Sequence, residues 1–281
     1  MTWSRILSGK DTWTNKQRVL IFASRGVSYR GRHLANDLRT LMPHTRTDSK
    51  LDKAKGFFEI NEICVMRNCN KCIFFEARKT DLYVWMANAP HGPSAKFLIE
   101  NIHTLAELKM TGNCLRGSRP ILSFDPKFDS QPNYKLLKEL FIQIFGTPRL
   151  HPKSQPFIDH VLSFSIADNR IWFRNYQIIE EDGALTEIGP RFVLNPIKIF
   201  NGSFGGPLLY ENPKYVSPNY YRAQLKKKVG QRYRNKVESV LGLEGRKMKE
   251  TYATDPLNDV FVTIRPEDAK GKEKMTFYRR K

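Results

Sequence analysis

Apolar residues along this chain recur at two periods, and the switches between them outline a fold. The unbroken run Val19–Ala23 (VLIFA) predicts a buried strand. A basic turn containing glycines follows. Leu34, Leu38 and Leu41 then recur at helical spacing until Pro43 stops them. Strand, turn and helix make an α/β opening. Residues 57–67 have mixed helical spacing. Residues 72–77, 82–87 and 95–105 are rich in β-branched and aromatic side chains, lie between turn formers and predict three strands; 121–124 predicts a fourth. Residues 134–145 predict a helix with Leu136, Leu137, Leu140, Phe141 and Ile144 on its apolar face and Gly146 at its end.

A Pro-rich joint at 147–156 precedes a second cluster. Residues 160–166 and 170–179 predict a hairpin around Ala167-Asp168-Asn169. Residues 185–188, 191–194 and 197–200 predict short strands, with Asn195-Pro196 interrupting the last two, and Gly202, Gly205, Gly206 and Pro207 close the sheet. Ser217-Pro218 is a good helix start. Tyr221, Leu225, Val229, Tyr233, Val237 and Leu241 follow at four-residue steps, and Gly230 is a place for a bend. The expected organisation is a polar arm over 1–16 carrying Trp3 and Trp13, and a domain over 17–213 with halves 17–150 and 151–213. A basic amphipathic helix over 214–245 and a polar, basic, extended tail over 246–281 complete it.

Charge changes this picture from a fold to a partner class. The chain has 281 residues, 47 Lys plus Arg against 28 Asp plus Glu, and a formal net charge of +19. Residues 1–56 hold 12 basic and 4 acidic side chains, 57–213 hold 17 and 16, and 214–250 hold 11 and 3. A near-neutral middle between basic ends points to polyphosphate contact, because neutralising phosphates releases counterions. The longest apolar run is far short of a membrane span, and the first residues lack a signal-peptide core. On these grounds neither membrane insertion nor secretion is expected. The apolar stripe of the basic helix is Val and Tyr rather than the bulky wedge a membrane surface selects.

Candidate contact residues follow. The turn from Arg25 to Arg32 combines arginines, glycines and a helix N-terminus, which favours phosphate, but no G-K-[ST] follows the glycines as a nucleotide-binding loop requires. Arg25, Arg30, Arg32 and Arg46, with Lys50, are expected to form one RNA patch. Lys226, Lys227, Lys228, Arg232, Arg234 and Lys236 form another, which also reads as a nuclear-import signal. Arg191 and Lys198 are expected on one basic strand edge. Tyr29, Tyr220, Tyr221 and Tyr233 are candidates for stacking on unpaired bases, although Tyr221 and Tyr233 sit at stripe positions that suit packing against protein.

Chemistry beyond binding is thinly represented. Cys69-x-x-Cys72 is a single pair. Zinc would need a second pair, for which Cys64, Cys114 and His103 are the nearest candidates; a redox pair or plain reduced thiols are the alternatives. Asp125 and Asp129 are close in sequence, Glu180-Glu181-Asp182 reads as a solvated turn, and there is no G-x-S-x-G elbow. No catalytic residue, metal, cofactor or small-molecule substrate is expected.

The segment EIGPRFVLNPIKIFNGSFGG from Glu187 to Gly206 resembles the "GPRF…L…I…G" signature of the Brix domain family, with Gly189, Pro190, Arg191, Phe192 and Gly202 matching. SRGVSYRGRHLANDLRTLMPH, NEICVMRNCNKCIFFEAR and NAPHGPSAKFLIENIHTLAELKMTGNCLRGSRPILSFDP agree with one member of that family, and the likeness covers about residues 17–250. The resemblance implies an α/β domain of two similar halves, like anticodon-binding domains. It implies a non-catalytic role in large (60S) subunit assembly in the nucleus and nucleolus. The implied partners are ribosomal RNA precursor, large-subunit ribosomal proteins and nucleolar assembly factors, among them a helical partner of the EBNA-binding-protein type. A protein scaffold with secondary RNA contact is the alternative.

Overall fold

One pattern of strands and helices is laid down twice. The computed structural model describes residues 17–52, 56–108, 112–179, 181 and 183–246; the arm with Trp3 and Trp13, the tail from 247, and Glu180 and Asp182 lie outside them. The first pass runs β1 (Val19–Ala23), α1 (Tyr29–Leu41), β2 (Thr45–Thr47), α2 (Phe58–Met66), β3 (Lys71–Arg78), β4 (Asp81–Asn88) and β5 (Ser94–His103). Here β1 and β3 are parallel, and β3, β4 and β5 continue antiparallel. After the short α3 (Leu105–Leu108), the second pass runs β6 (Pro120–Phe124), a 3-10 turn, α4 (Pro132–Phe145), β7 (His160–Ala167), β8 (Arg170–Ile178), β9 (Leu185–Glu187) and β10 (Arg191–Phe200). Again the first strand is parallel to the next, β6 to β7, and β7, β8 and β10 continue antiparallel.

Antiparallel pairing of β5 with β10 fuses the passes into one sheet of order β2-β1-β3-β4-β5-β10-β8-β7-β6. β9 attaches to β8, and β11 (Leu208–Glu211) attaches to β10. The two similar α/β halves are therefore present, but the expected division at 150 is misplaced. β6 and α4 pair and pack with β7, so the Pro-rich joint is a loop inside the second half, and the halves part between β5 and β6. Of the described residues, those up to Pro218 form one compact unit and those from Asn219 to Arg246 belong to another. The second holds nearly all of α5 (Pro218–Arg246), which runs unbroken past Gly230.

The apolar alternation explains the layers. Val19 and Ile21 of β1, Ile73 and Phe75 of β3, Leu162 and Phe164 of β7, and Ile171 and Phe173 of β8 face the same side as the apolar stripes of α1 and α4. Phe141 of α4 lies at the joint between halves: its ring centroid is 5.9 Å from Phe97 of the first half and 5.1 Å from Phe164 of the second. Polar ties cross the same joint. Lys71, buried at the start of β3, donates to Gln143 Oε1 of α4 at 2.7 Å and to Asn88 Oδ1 at 2.9 Å. His44, just past α1, donates from Nε2 to the Ile144 carbonyl at 2.9 Å. Burial and the nearby His151 ring push its pKa down to about 4, with the hydrogen bond opposing, so the ring is neutral. On the opposite face of the first half, Ile60 and Cys64 of α2 cover Leu20, Phe22, Cys72, Phe74 and Trp85.

Two short strands were expected at 191–194 and 197–200, with a break at Asn195-Pro196. Instead β10 is continuous. Proline is accommodated there because the strands on one side of β10 leave a gap. On that side β8 pairs with Phe192, Val193 and Leu194 and β11 with Lys198, Ile199 and Phe200, so neither calls on an amide at 196, while on the other side Pro196 stands opposite Phe97 of β5. Asn212 closes the gap by donating its side-chain amide to the Pro196 carbonyl at 2.8 Å.

Two outcomes follow from this core. Phe141→Ala should lower stability by about 3–5 kcal/mol in urea denaturation; a loss below about 1 kcal/mol would mean that the halves do not share the ring. His44 is neutral in the fold and takes up a proton more readily when unfolded. Stability should therefore be full above the unfolded pKa of 6.5 and fall as the pH drops, by about 2 kcal/mol between pH 7 and pH 5. An unfolding midpoint that does not move across that window would contradict a buried, neutral His44.

Candidate nucleic-acid interface

Five cations line a cleft of about 800 Å³ where the two halves meet beside the edge strand β2. Arg39 comes from the last turn of α1, Arg46 from β2 and Arg67 from the end of α2. Arg116 and Lys153 arrive from loops of the second half. Thr40, Thr45 and Thr47 add hydroxyls. Asp48 is the acidic counterweight nearby: Arg67 grips it through Nε at 2.9 Å and a second nitrogen at 3.0 Å, which holds the Asp48 carboxyl below its ordinary range. The field reaches neighbouring groups. Burial pushes His151 down first, and the charges of Lys153 and Arg18 push it further. Burial raises the Cys69 thiol to about 11, with Arg46, Arg18 and Arg67 pulling the other way.

The expected patch of Arg25, Arg30, Arg32, Arg46 and Lys50 does not come together. Arg46 lines the cleft. Arg30 sits near the opposite end of α1, nine residues or about 14 Å along the helix from Arg39, and pairs with Glu107 at 3.0 Å. Arg25 pairs with Asp52 at 3.0 Å, and Lys50 is exposed in the same connection after β2. Arg32 is exposed one turn ahead of Asn36 and two ahead of Arg39, so it extends the polar stripe of α1 leading into the cleft. Arg191 and Lys198 do not share an edge either. They stand seven residues apart in a central strand, about 23 Å, and pair with Glu187 at 3.6 Å and Glu211 at 2.9 Å.

Sequence reasoning missed Arg39, Arg67, Arg116 and Lys153. Three of these lie in the near-neutral stretch, where nothing marks them before folding brings them together. The spacing Arg32, Asn36, Arg39 was a readable signal for the fourth.

On α5, Lys226, Lys227, Lys228, Arg232, Arg234 and Lys236 are all exposed. So is the apolar stripe: Tyr221 is 58% exposed and Tyr233 69%, so neither is buried among the described residues. Tyr233, Val237, Val240 and Leu241 border a shallow apolar groove on this helix.

Four of the signature residues, Gly189, Pro190, Phe192 and Gly202, are architectural. Gly189 has φ +91, a left-handed conformation that favours glycine. Its carbonyl accepts from the buried Asn175 side chain at 2.9 Å. Pro190 is buried, and Phe192 stacks on Phe173 with centroids 4.5 Å apart. At Gly202 a Cβ would stand 2.6 Å from the Gly205 carbonyl oxygen, so the turn closes only around glycine. Its own carbonyl accepts from Ser94 Oγ at 2.7 Å, tying the end of β10 to the start of β5.

The groups considered for chemistry have structural partners. Asp125 accepts from the Lys127 and Ile166 amides, and Asp129 accepts from Lys138 at 2.9 Å. Ser118 and Asp159 both contact the same His160 nitrogen, Nδ1, at 3.1 and 2.6 Å, which pins the 115–118 loop to β7 and is not a relay. Cys64, Cys69 and Cys72 lie in one buried apolar cluster, whereas Cys114 lies in the second half beside Asp159, so the four-cysteine set is not assembled. Among the described residues, no helix is long and apolar enough to cross a membrane.

Comparison with known proteins now bears on this geometry. The Brix domain matches residues 24–198, from the end of β1 into β10. The chain is 60% identical to the human Ribosome biogenesis protein BRX1 homolog, over 97% of this chain and 82% of that protein. It is 58% identical to the Drosophila melanogaster protein of the same name, over 86% and 68%. It is 50% identical to the Saccharomyces cerevisiae Ribosome biogenesis protein BRX1, over 87% and 89%. Among solved structures, a probable ribosomal biogenesis protein from Aeropyrum pernix K1 aligns with a TM-score of 0.44 at 15% identity, over 64% of this chain and 96% of that one. With a matched domain spanning most of the sheet and relatives this similar over nearly the whole chain, the chain belongs to the Brix domain family.

Proposed function

We propose that this chain is a non-catalytic ribosome assembly factor that grips ribosomal RNA precursor during large-subunit maturation in the nucleolus. The names of its relatives supply the ribosomal context. The observation that carries the RNA reading is the cleft, where Arg39, Arg46, Arg67, Arg116 and Lys153 converge from both halves, with Arg67 also holding Asp48. Exposed guanidinium and ammonium groups with threonine hydroxyls suit the phosphate backbone of folded RNA, giving position rather than base reading. The cations of α5 supply a second contact with phosphate. A protein contact is proposed on the same helix, because its apolar stripe is exposed along its length and suits a helical assembly partner.

Exchanging Arg46→Glu together with Lys153→Glu should weaken binding of an RNA duplex at least about tenfold. The slope of log affinity against log salt should shrink by about 2, one for each lost phosphate contact. Lys79→Glu, at the far end of β3, should leave both unchanged. Fluorescence anisotropy across a salt series reads all three proteins, and a double variant that binds like the native chain would remove the cleft from the interface.

A further inference from the structure

The sheet face opposite α1 and α4 is treated differently in the two halves. In the first half α2 covers it, burying Leu20, Phe22, Cys72, Phe74 and Trp85. In the second half, among the described residues, no apolar cluster forms over the corresponding positions. The register shows why. There Ser165 of β7 stands opposite Trp172 of β8, Ser163 opposite Arg174, and Val161 opposite Tyr176, while Ser123 of β6 stands opposite Ser163. Serine, arginine and aromatic rings, together with Val161 and the exposed Ile121, take the places that apolar side chains hold in the other half, so this face is mixed where the other is apolar.

The aromatic and cationic groups on β8 are already arranged against one another. The Arg174 guanidinium lies 5.9 Å from the centre of the Trp172 ring and donates to the Tyr176 hydroxyl at 3.4 Å. Arg174 thus engages a ring and a phenol, whereas its neighbours Arg170 and Arg191 hold Glu100 at 3.1 Å and Glu187 at 3.6 Å.

A recess of about 200 Å³ opens next to this row, lined by Asn101, His103, Trp172, Arg174 and Arg191. It forms where β5 and β10 slip register: His103 pairs with Arg191 and Glu100 with Val193, so two residues of β5 oppose Phe192 alone. Asn101, at the slip, has φ +50, an uncommon conformation for a residue with a side chain. The recess therefore presents an amide, an imidazole and two guanidinium groups beside an indole ring.

We infer that this face of the second half binds unpaired RNA, with bases stacking along Trp172 and Arg174 and one base edge entering the recess of Asn101, His103 and Arg191. Aromatic rings and arginine planes accept any base by stacking, while serines and guanidinium groups meet the sugar and phosphate. The inference rests on the proposed RNA-binding role and adds a second surface, distinct from the cleft in location and in the form of RNA it takes.

Anisotropy titrations of the full chain against fluorescein-labelled decauridine and against an RNA duplex test it. Arg174→Glu and Trp172→Ala should each weaken decauridine binding at least about tenfold, with duplex binding changed by less than about twofold. Trp172→Phe, which keeps a ring, should restore most of the loss. The Arg46→Glu/Lys153→Glu protein should show the reverse preference. Decauridine binding unaffected by Arg174→Glu, with duplex binding still dependent on Arg46 and Lys153, would overturn the second surface and leave the cleft standing. A native chain that binds neither RNA would overturn both.

Discussion

Everything described above depends on ten residues of β5 lying antiparallel to ten residues of β10. Each half by itself ends in a strand with an open side. Joining them gives a continuous sheet whose apolar face is shared, so that α4 of the second half reaches over β3 and β4 of the first and Phe141 packs between Phe97 and Phe164. The cleft is a by-product of the same union. Arg116 and Lys153 approach Arg39 and Arg46 because the connection after α1 docks against the end of α4 through His44. The family signature serves this seam: Gly189 turns the chain into β10, Phe192 anchors the strand on Phe173, and Gly202 fastens its far end to Ser94. These three residues hold the seam together, while Arg191 of the same segment lines the recess on the outer face of the second half.

Most elements were readable from short-range pattern. VLIFA, the leucine spacing of α1, the aromatic strands and the apolar face of α4 all carry their period openly, and each forms close to where expected. The failures concern relations between distant segments. Pairing of β6 with β7 places Pro120–Phe145 in the second half, and no local feature of those residues announces that partner. Asn195-Pro196 reads as a break because proline lacks an amide; that β8 and β11 leave this position free on their side, while β5 still runs alongside it, is a property of the neighbouring strands and not of β10. The candidate interface was legible only as far as Arg46, the stripe of α1 and the cations of α5. Segment charge locates basic stretches, but a cleft built from one residue per segment leaves the net charge of each segment almost untouched.

The two halves also show how one topology tolerates two surfaces. The inward-facing alternation is kept in both, because the shared core demands it. The outward-facing positions are under no such demand. In the first half they are Leu20, Phe22, Cys72 and Phe74, and a helix covers them; in the second they include Val161, Ser163, Ser165, Trp172, Arg174 and Tyr176, and among the described residues no helix covers them. Burial differs because composition on one strand face differs, with the backbone plan unchanged.

The seam also orders events during synthesis. β5 is complete about ninety residues before its partner emerges, so a nascent chain carries the exposed edge of Ser94–His103 through the making of α4, β7 and β8. An unpaired edge is a template for mispairing, and closing so long a loop is slow. The first half thus waits for the second, and a fragment ending near residue 150 would keep a sticky border that only the missing strand can seal.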